Sequence, residues 1–294
     1  MKSMNSVLVC THGFFGDIAF GSSLAKELKE EYDTVDYIIG FPQMKSLLYN
    51  NPYIDNVFVT VPSGPVTRPE QLDYNYDRVI RLEPLSFEIP PVTEYKQKNN
   101  FKNTDPSYKL YTDSFYDKEV EKLFKTLPKD KKVIGVMSNW EERSFRFTEE
   151  QYVIGKDVPT LGYGGRHRNT DSIVQELSEH YTILELGLKD KSQLETIDII
   201  DGNNKSILFE CSVMKYCDAF VGAEGGLCNL AAGVGTKTII TGDFIHQLYG
   251  WNGVLKKIKE PKLGPKYYFN NNKHITLDPY LTDKEVVEQI KQLV

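Results

Sequence analysis

Apolar positions fall in short dense runs that alternate with longer stretches of helical spacing. Ser6–Cys10 (SVLVC) shows no polar alternation, so it reads as a strand buried on both faces. Residues 18–31 follow with Ile18, Leu24, Ala25 and Leu28 on one helical face. Val35–Gly40 and Val57–Val61 read as further strands, with a short helix, Gln43–Tyr49, between them. Strands alternating with helices predict a parallel sheet covered by helices. Tyr76–Leu82 is a possible fourth strand, and Phe115–Leu127 reads as a helix. Pro128–Lys132 reads as a linker, and after it the alternation restarts. Val133–Met137, Tyr181–Leu186, Ala219–Gly222 and Thr236–Thr241 are the next strands. Residues 170–180, Cys211–Cys217 and roughly Leu227–Val234 are the helices, with Ser206–Phe209 a separate short element. Asp283–Val294 is an amphipathic helix with Val286, Val287, Ile290 and Leu293 apolar. The fold class is therefore α/β, with two Rossmann-like domains, 1–128 and 129–294. Their parallel sheets face each other across a cleft where ligands of such folds sit. The terminal helix has the option of packing back on the first domain.

Residues 62–112 break the pattern. Pro62, Pro65, Pro69, Pro84, Pro90, Pro91 and Pro106 interrupt them, and Glu83–Tyr111 is loop-rich and polar. A loop this long is either functional, here acceptor recognition, or a solvated surface excursion.

Composition narrows the classes. A chain of 294 residues, 40% hydrophobic and 26% charged, buries a sizeable core. The net charge of −6 argues against a broad nucleic-acid footprint. It leaves room for a local groove built from Arg68, Arg78, Arg81, Lys96, Lys98 and Lys102. No apolar run approaches the roughly 20 residues that span a bilayer, and the first ten residues lead into a strand, unlike a signal peptide. The four cysteines form no Cys-x-x-Cys pair and have no histidine at metal spacing. Cys10 and Cys228 sit in apolar surroundings, as core thiols do, which suits a reducing, cytoplasmic setting. No Asp-x-Asp pair or histidine–carboxylate cluster points to a metal.

The most informative stretch is Phe220–Gly235, FVGAEGGLCNLAAGVG. It reads as a strand end, a glycine turn, and the first turns of a small-residue helix. Gly225 and Gly226 allow close backbone approach. The N–H groups of Gly225, Gly226 and Leu227, at the positive end of a helix, suit a diphosphate. Glu224 at the mouth of the turn can accept hydrogen bonds from sugar or ribose hydroxyls. The alternative is a glycine turn that only lets helix and sheet pack closely. A second glycine-rich, basic run, Gly162–Arg168, reads either as a phosphate or base loop or as a surface turn.

Four segments resemble the family 9, heptosyltransferase-like glycosyltransferases of GT-B fold. Gly16–Leu28 (GDIAFGSSLAKEL) is similar to the family's first loop and helix, and Leu47–Val57 (LLYNNPYIDNV) to the passage after it. Ser138–Phe145 (SNWEERSF) is a weaker match. Leu208–Gly235 looks like the donor-site signature, with Glu224 where the family usually has Asp and Asn229 where it usually has His. The matches frame residues 6 to about 243.

The resemblance implies an inverting, metal-independent transfer of a sugar from a nucleoside-diphosphate sugar to a hydroxyl, with no cofactor. It implies Asp17 as general base, since the attacking hydroxyl must lose its proton. The alternative is that Asp17 caps the helix behind it. Arg143 and Arg146 are candidates to neutralise the leaving diphosphate, against a reading as solvated arginines. Ser138 and Asn139 are placed to touch phosphate or ribose. His12, Gly16, Asn229 and His246 are possible donor or acceptor contacts. The acceptor is a glycan, a lipid-linked saccharide or, as a less favoured option, a hydroxymethylated DNA base of a phage genome. Two alternatives stay open: a nucleotide-sugar epimerase on the same fold, and a non-catalytic nucleotide- or glycan-binding remnant.

Overall fold

The computed structural model describes residues 5–13, 15–61, 63, 67–72, 74–82, 89–137, 161–162, 165–166, 170–186, 197–198, 207–222, 225–241, 274–277 and 281–294. The first unit runs β1 (Ser6–Cys10), α1 (Phe15–Gly21), a 3-10 turn at Ser22–Leu24, α2 (Ala25–Glu31) and β2 (Thr34–Ile39). It continues through α3 (Ser46–Tyr49), β3 (Asn56–Val59), β4 (Arg78–Arg81), α4 (Pro91–Lys98) and α5 (Ser114–Thr126). The second runs β5 (Val133–Val136), the two-residue strands β6 (Leu161–Gly162) and β7 (Gly165–Arg166), α6 (Thr170–Ser178), β8 (Thr182–Glu185) and β9 (Ile197–Asp198). It ends with α7 (Ile207–Tyr216), β10 (Ala219–Gly222), α8 (Gly226–Gly233), β11 (Thr238–Ile240), β12 (His274–Thr276) and α9 (Asp283–Leu293).

Both large sheets are wholly parallel. The first has the order β3-β2-β1-β4 and the second β12-β11-β10-β5-β8-β9. In each, the chain winds one way from the first strand and then returns to its other side. The order therefore reverses between β1 and β4, and between β5 and β10. Crevices outside the carboxyl ends of such neighbours are where ligands bind. The loop after β1 and the glycine turn after β10 both leave the sheets at these points.

The strands form where the sequence is apolar on both faces. Every residue of β5 and β10 is buried, as are Val7–Cys10 of β1. One continuous apolar cluster joins the two units, including Phe20 and Leu24 from the first with Leu227 and Ala231 from the second. A second cluster fills the other face of the second sheet, where α9 packs with α6 through Val286, Val287 and Ile290. Thr282 and Glu285 close a capping box at the start of α9.

Three elements differ from the sequence pattern. The helix expected from residue 18 starts at Phe15 and breaks into α1, a 3-10 turn and α2. The separate pieces expected at 206–209 and 211–217 form one helix, α7. The irregular segment 83–111 contains α4, whose Val92 and Tyr95 are buried. Proline at its first position and charges of the right sign at each end favour that helix. Its Lys96 is buried against Glu27 at 2.6 Å, and Lys98 pairs with Glu94 at 2.8 Å. Arg78 donates to the Asn99 carbonyl at 2.9 Å. Three of the six basic residues grouped above are thus engaged within the fold. The Gly162–Arg168 run supplies the antiparallel pair β6–β7.

α5 lies against α7. At this contact the Asp117 carboxylate accepts from Ser212 Oγ at 2.8 Å, Lys215 Nζ at 2.7 Å and Thr112 Oγ1 at 2.9 Å. Burial pushes the carboxyl up, but hydrogen bonds from Lys215, Ser212 and Thr112 outweigh it and hold it below its ordinary value. A lowered carboxyl stabilises the fold above its unfolded pKa of about 3.9 and loses that contribution as pH falls through the lowered value. Urea unfolding should show Ser212→Ala less stable by about 1–3 kcal/mol at neutral pH, with an unchanged denaturant slope. Asp117→Asn should remove part of the acid dependence below about pH 4; an unchanged acid limb would mean that the cluster contributes nothing.

Candidate functional site

β1 delivers the chain to Thr11, buried and bonded through its N–H to the Ile38 carbonyl at 3.0 Å. His12 and Gly13 follow. Gly13 has φ +79°, the left-handed region that lets the strand turn at once into α1. A Cβ at Gly13 would also stand 2.1 Å from Asp17 Oδ2. The carboxylate therefore lies directly over the glycine. Asp17 is the third residue of α1, inside its first turn. It does not occupy the N-cap position, because the helix begins before it.

Two groups surround this turn. The Thr67 N–H points at His12 Nδ1 over a long 3.5 Å, tying the segment before β4 to the loop after β1. Tyr95 of α4 is 2% exposed and packs in the core beside α1. Burial first, then the charge of Asp17, then Glu94, push its phenol well above its ordinary value. Tyr95 is thus a neutral phenol within the field of the Asp17 carboxylate. Nothing local in the sequence marks Tyr95, because 83–111 reads as loop-rich and polar.

In the second unit, β10 ends at Gly222 and α8 begins at Gly226, with Gly225 as an N-cap that has no side chain to offer. The Asn229 N–H closes the first turn on the Gly225 carbonyl at 3.2 Å. The N–H groups ahead of it, at Gly226 and Leu227, have no intrahelical acceptor, and the dipole end is positive there. Leu227 itself is buried. β5 ends beside β10, where the Met137 N–H donates to the Val221 carbonyl at 3.1 Å.

The first turns of α1 and α8 meet. A Cβ on Gly16 would stand 2.4 Å from Asn229 Nδ2, and one on Gly226 would stand 3.3 Å from the Phe15 Cβ. The residues on either side of Asp17's turn thus touch the turn whose N–H groups are available for an anion. Asp17, His12, Gly16, Gly225, Gly226, Leu227 and Asn229 therefore lie on two facing helix starts. Glu224, Ser138, Asn139, Arg143, Arg146 and His246 lie outside the described residues. Among the described residues, no three His, Cys, Asp or Glu side chains gather as a metal site. No described helix is long and apolar enough to cross a membrane.

No protein-family model matches the chain, and no curated protein matches it either. Solved structures do. A family 9 glycosyl transferase from Veillonella parvula DSM 2008 superposes with a TM-score of 0.68 at 13% identity, over 98% of this chain and 97% of that one. The E. coli ADP-heptose LPS heptosyltransferase II gives 0.60 at 12% identity, over 98% of each chain. The E. coli heptosyltransferase WaaC, solved with ADP-2-deoxy-2-fluoro heptose, gives 0.54 at 10% identity, over 98% of this chain and 100% of that one. The chain has the two-sheet GT-B fold of these family 9 glycosyltransferase structures.

The close fit of Asp17 on Gly13 has a direct consequence. Gly13→Ala should cost about 1–2 kcal/mol of stability for the left-handed backbone alone, and it must also displace the carboxylate. Denaturant unfolding measures the first effect, and a crystal structure of the variant reads the second. An alanine accepted with neither change would show that the carboxylate does not rest on this glycine.

Proposed function

We propose that this chain is an inverting glycosyltransferase that moves a sugar from a nucleoside-diphosphate sugar to an acceptor hydroxyl. The observation that carries the reading is the meeting of two helix starts, one bearing the Asp17 carboxylate and the other offering backbone N–H groups. Asp17 takes the proton of the acceptor hydroxyl as its oxygen attacks the anomeric carbon. The bond from that carbon to the diphosphate breaks on the opposite face, and its electron pair leaves on the phosphate oxygen. Gly226 and Leu227 N–H groups stabilise that oxygen where charge develops. Arg143 and Arg146 are the candidate side chains for the rest of the charge, with Ser138 and Asn139 toward phosphate or ribose. Glu224 is the candidate for the donor's hydroxyls, and His246 a further donor contact. This chemistry needs no metal and no cofactor beyond the donor.

Two structural neighbours are named for ADP-heptose or were solved with an ADP-heptose analogue. ADP-heptose is accordingly the first donor to test. A glycan or lipid-linked saccharide is the favoured acceptor. DNA is less favoured, because Lys96 is buried in its pair with Glu27, Lys98 pairs with Glu94 and Arg78 is bonded to the Asn99 carbonyl. The four free, buried cysteines suit a reducing cytoplasm.

The test is a thermal-shift screen against ADP, UDP, GDP, CDP and TDP and their sugars. One nucleotide family should raise the midpoint, by about 2.7 kcal/mol of added stability at a hundred times its Kd. Asp17→Asn should keep that shift and lose about 10²–10⁴-fold in turnover. No shift with any nucleotide would remove the donor site. Binding without turnover in the wild type would leave a nucleotide-binding remnant.

A further inference from the structure

Tyr108 stands between the two helices that carry the candidate site. Its ring meets Phe20 of α1 edge-on, with centroids 5.2 Å apart and planes at 87°. Its hydroxyl donates to the Asn229 carbonyl of α8 at 2.6 Å. Two residues on, the Leu110 N–H donates to the Gly233 carbonyl at 2.8 Å. The fit to α8 is tight, since a Cβ on Gly233 would stand 2.9 Å from Tyr108 Cε2 and 2.8 Å from the Leu110 side chain. Burial holds the phenol protonated, well above its ordinary value, so the hydroxyl remains a donor.

Asn229 makes this contact consequential. Through its carbonyl it receives Tyr108, and through its side chain it presses on Gly16, one residue before Asp17. Tyr108 thus reaches the Asp17 turn by two routes: directly along α1 through Phe20, and across α8 through Asn229.

We propose that Tyr108 is a positioning residue that sets the spacing between the Asp17 turn of α1 and the anion-facing first turn of α8. The role in catalysis rests on the glycosyltransferase reading; the role in spacing does not. A ring that only filled volume would be replaced without loss by phenylalanine. A ring that sets the spacing needs its hydroxyl, because that bond fixes α8 against the ring.

Pulsed EPR on the full chain tests this. Labels go on Lys26→Cys in α2 and Glu288→Cys in α9, both exposed, while the four native cysteines are buried. The parent should give one narrow distance. Tyr108→Phe should broaden it or move its mean by about 1 Å, and Tyr108→Ala should do so further. Misplacement on that scale costs up to about 100-fold in rate. With ADP-heptose as donor, kcat should therefore fall at least about tenfold in Tyr108→Phe while ADP affinity holds. Unchanged distances in the variants would overturn the proposal. So would a kcat loss matched by an equal loss of ADP affinity, or a shifted distance with full kcat. If the parent does not turn over ADP-heptose, the proposed function has failed with that donor and the distances alone decide the spacing. If Tyr108→Ala does not fold, Tyr108→Phe decides.

Discussion

At Gly16 the backbone of α1 comes so near α8 that Asn229 Nδ2 occupies the space a side chain would need. This approach governs the rest of the site. Each unit alone is a parallel sheet with a loop leaving its switch point, and neither holds both the Asp17 carboxylate and the first turn of α8. The contact of Gly16 with Asn229, and of Phe15 with Gly226, brings the two loops' helices together at their starts. A glycine inside a helix costs roughly 0.5–1 kcal/mol relative to alanine. Here the missing side chain is what allows two helix starts from different sheets to share one crevice.

The approach is supported from behind. Tyr95 lies under the Asp17 turn, and α4 is held to α2 by the Lys96–Glu27 pair. Farther along the same segment, Tyr108 and Leu110 bond to the Asn229 and Gly233 carbonyls of α8. One stretch of irregular-looking sequence thus braces both helices. The Asp117 cluster holds the next helix, α5, to α7, which neighbours α8. Charged and polar groups do this work only where each has a partner, since an unpaired buried charge costs several kcal/mol.

What could be read from the sequence follows from how each element is buried. β1 from Val7 on and all of β10 are apolar because both faces are covered, so their runs are visible without context. The glycine turn before α8 was visible for the same local reason: two adjacent glycines follow a buried strand. The segments that resemble family 9 also point to the fold that the structural neighbours share. α4 was not visible, because its burial depends on Lys96 meeting Glu27 and on Tyr95 meeting α1, both distant in sequence. Gly16 reads locally as turn, so the helix expected from Ile18 in fact begins three residues earlier, at Phe15. Only the facing helix explains a glycine within the first turn. Tyr108 lay in a segment that its prolines and polar residues marked as loop, and its partner is 121 positions away.

Continuity of the core bears on how such a site is assembled. The apolar cluster that contains Phe20 and Leu24 also contains Leu227 and Ala231, so no layer of solvent divides the two units at this seam. Parting α1 from α8 would expose apolar surface at about 25 cal/mol per Å². It would also take Tyr108 away either from the Phe20 ring of α1 or from the Asn229 carbonyl of α8, the latter bond having a net worth of about 1 kcal/mol. A substrate would have to supply that difference through contacts made only in the parted form. These contacts favour the opposite order. Folding brings Asp17 and the first turn of α8 together beforehand, so substrate binding need not spend free energy on assembling them.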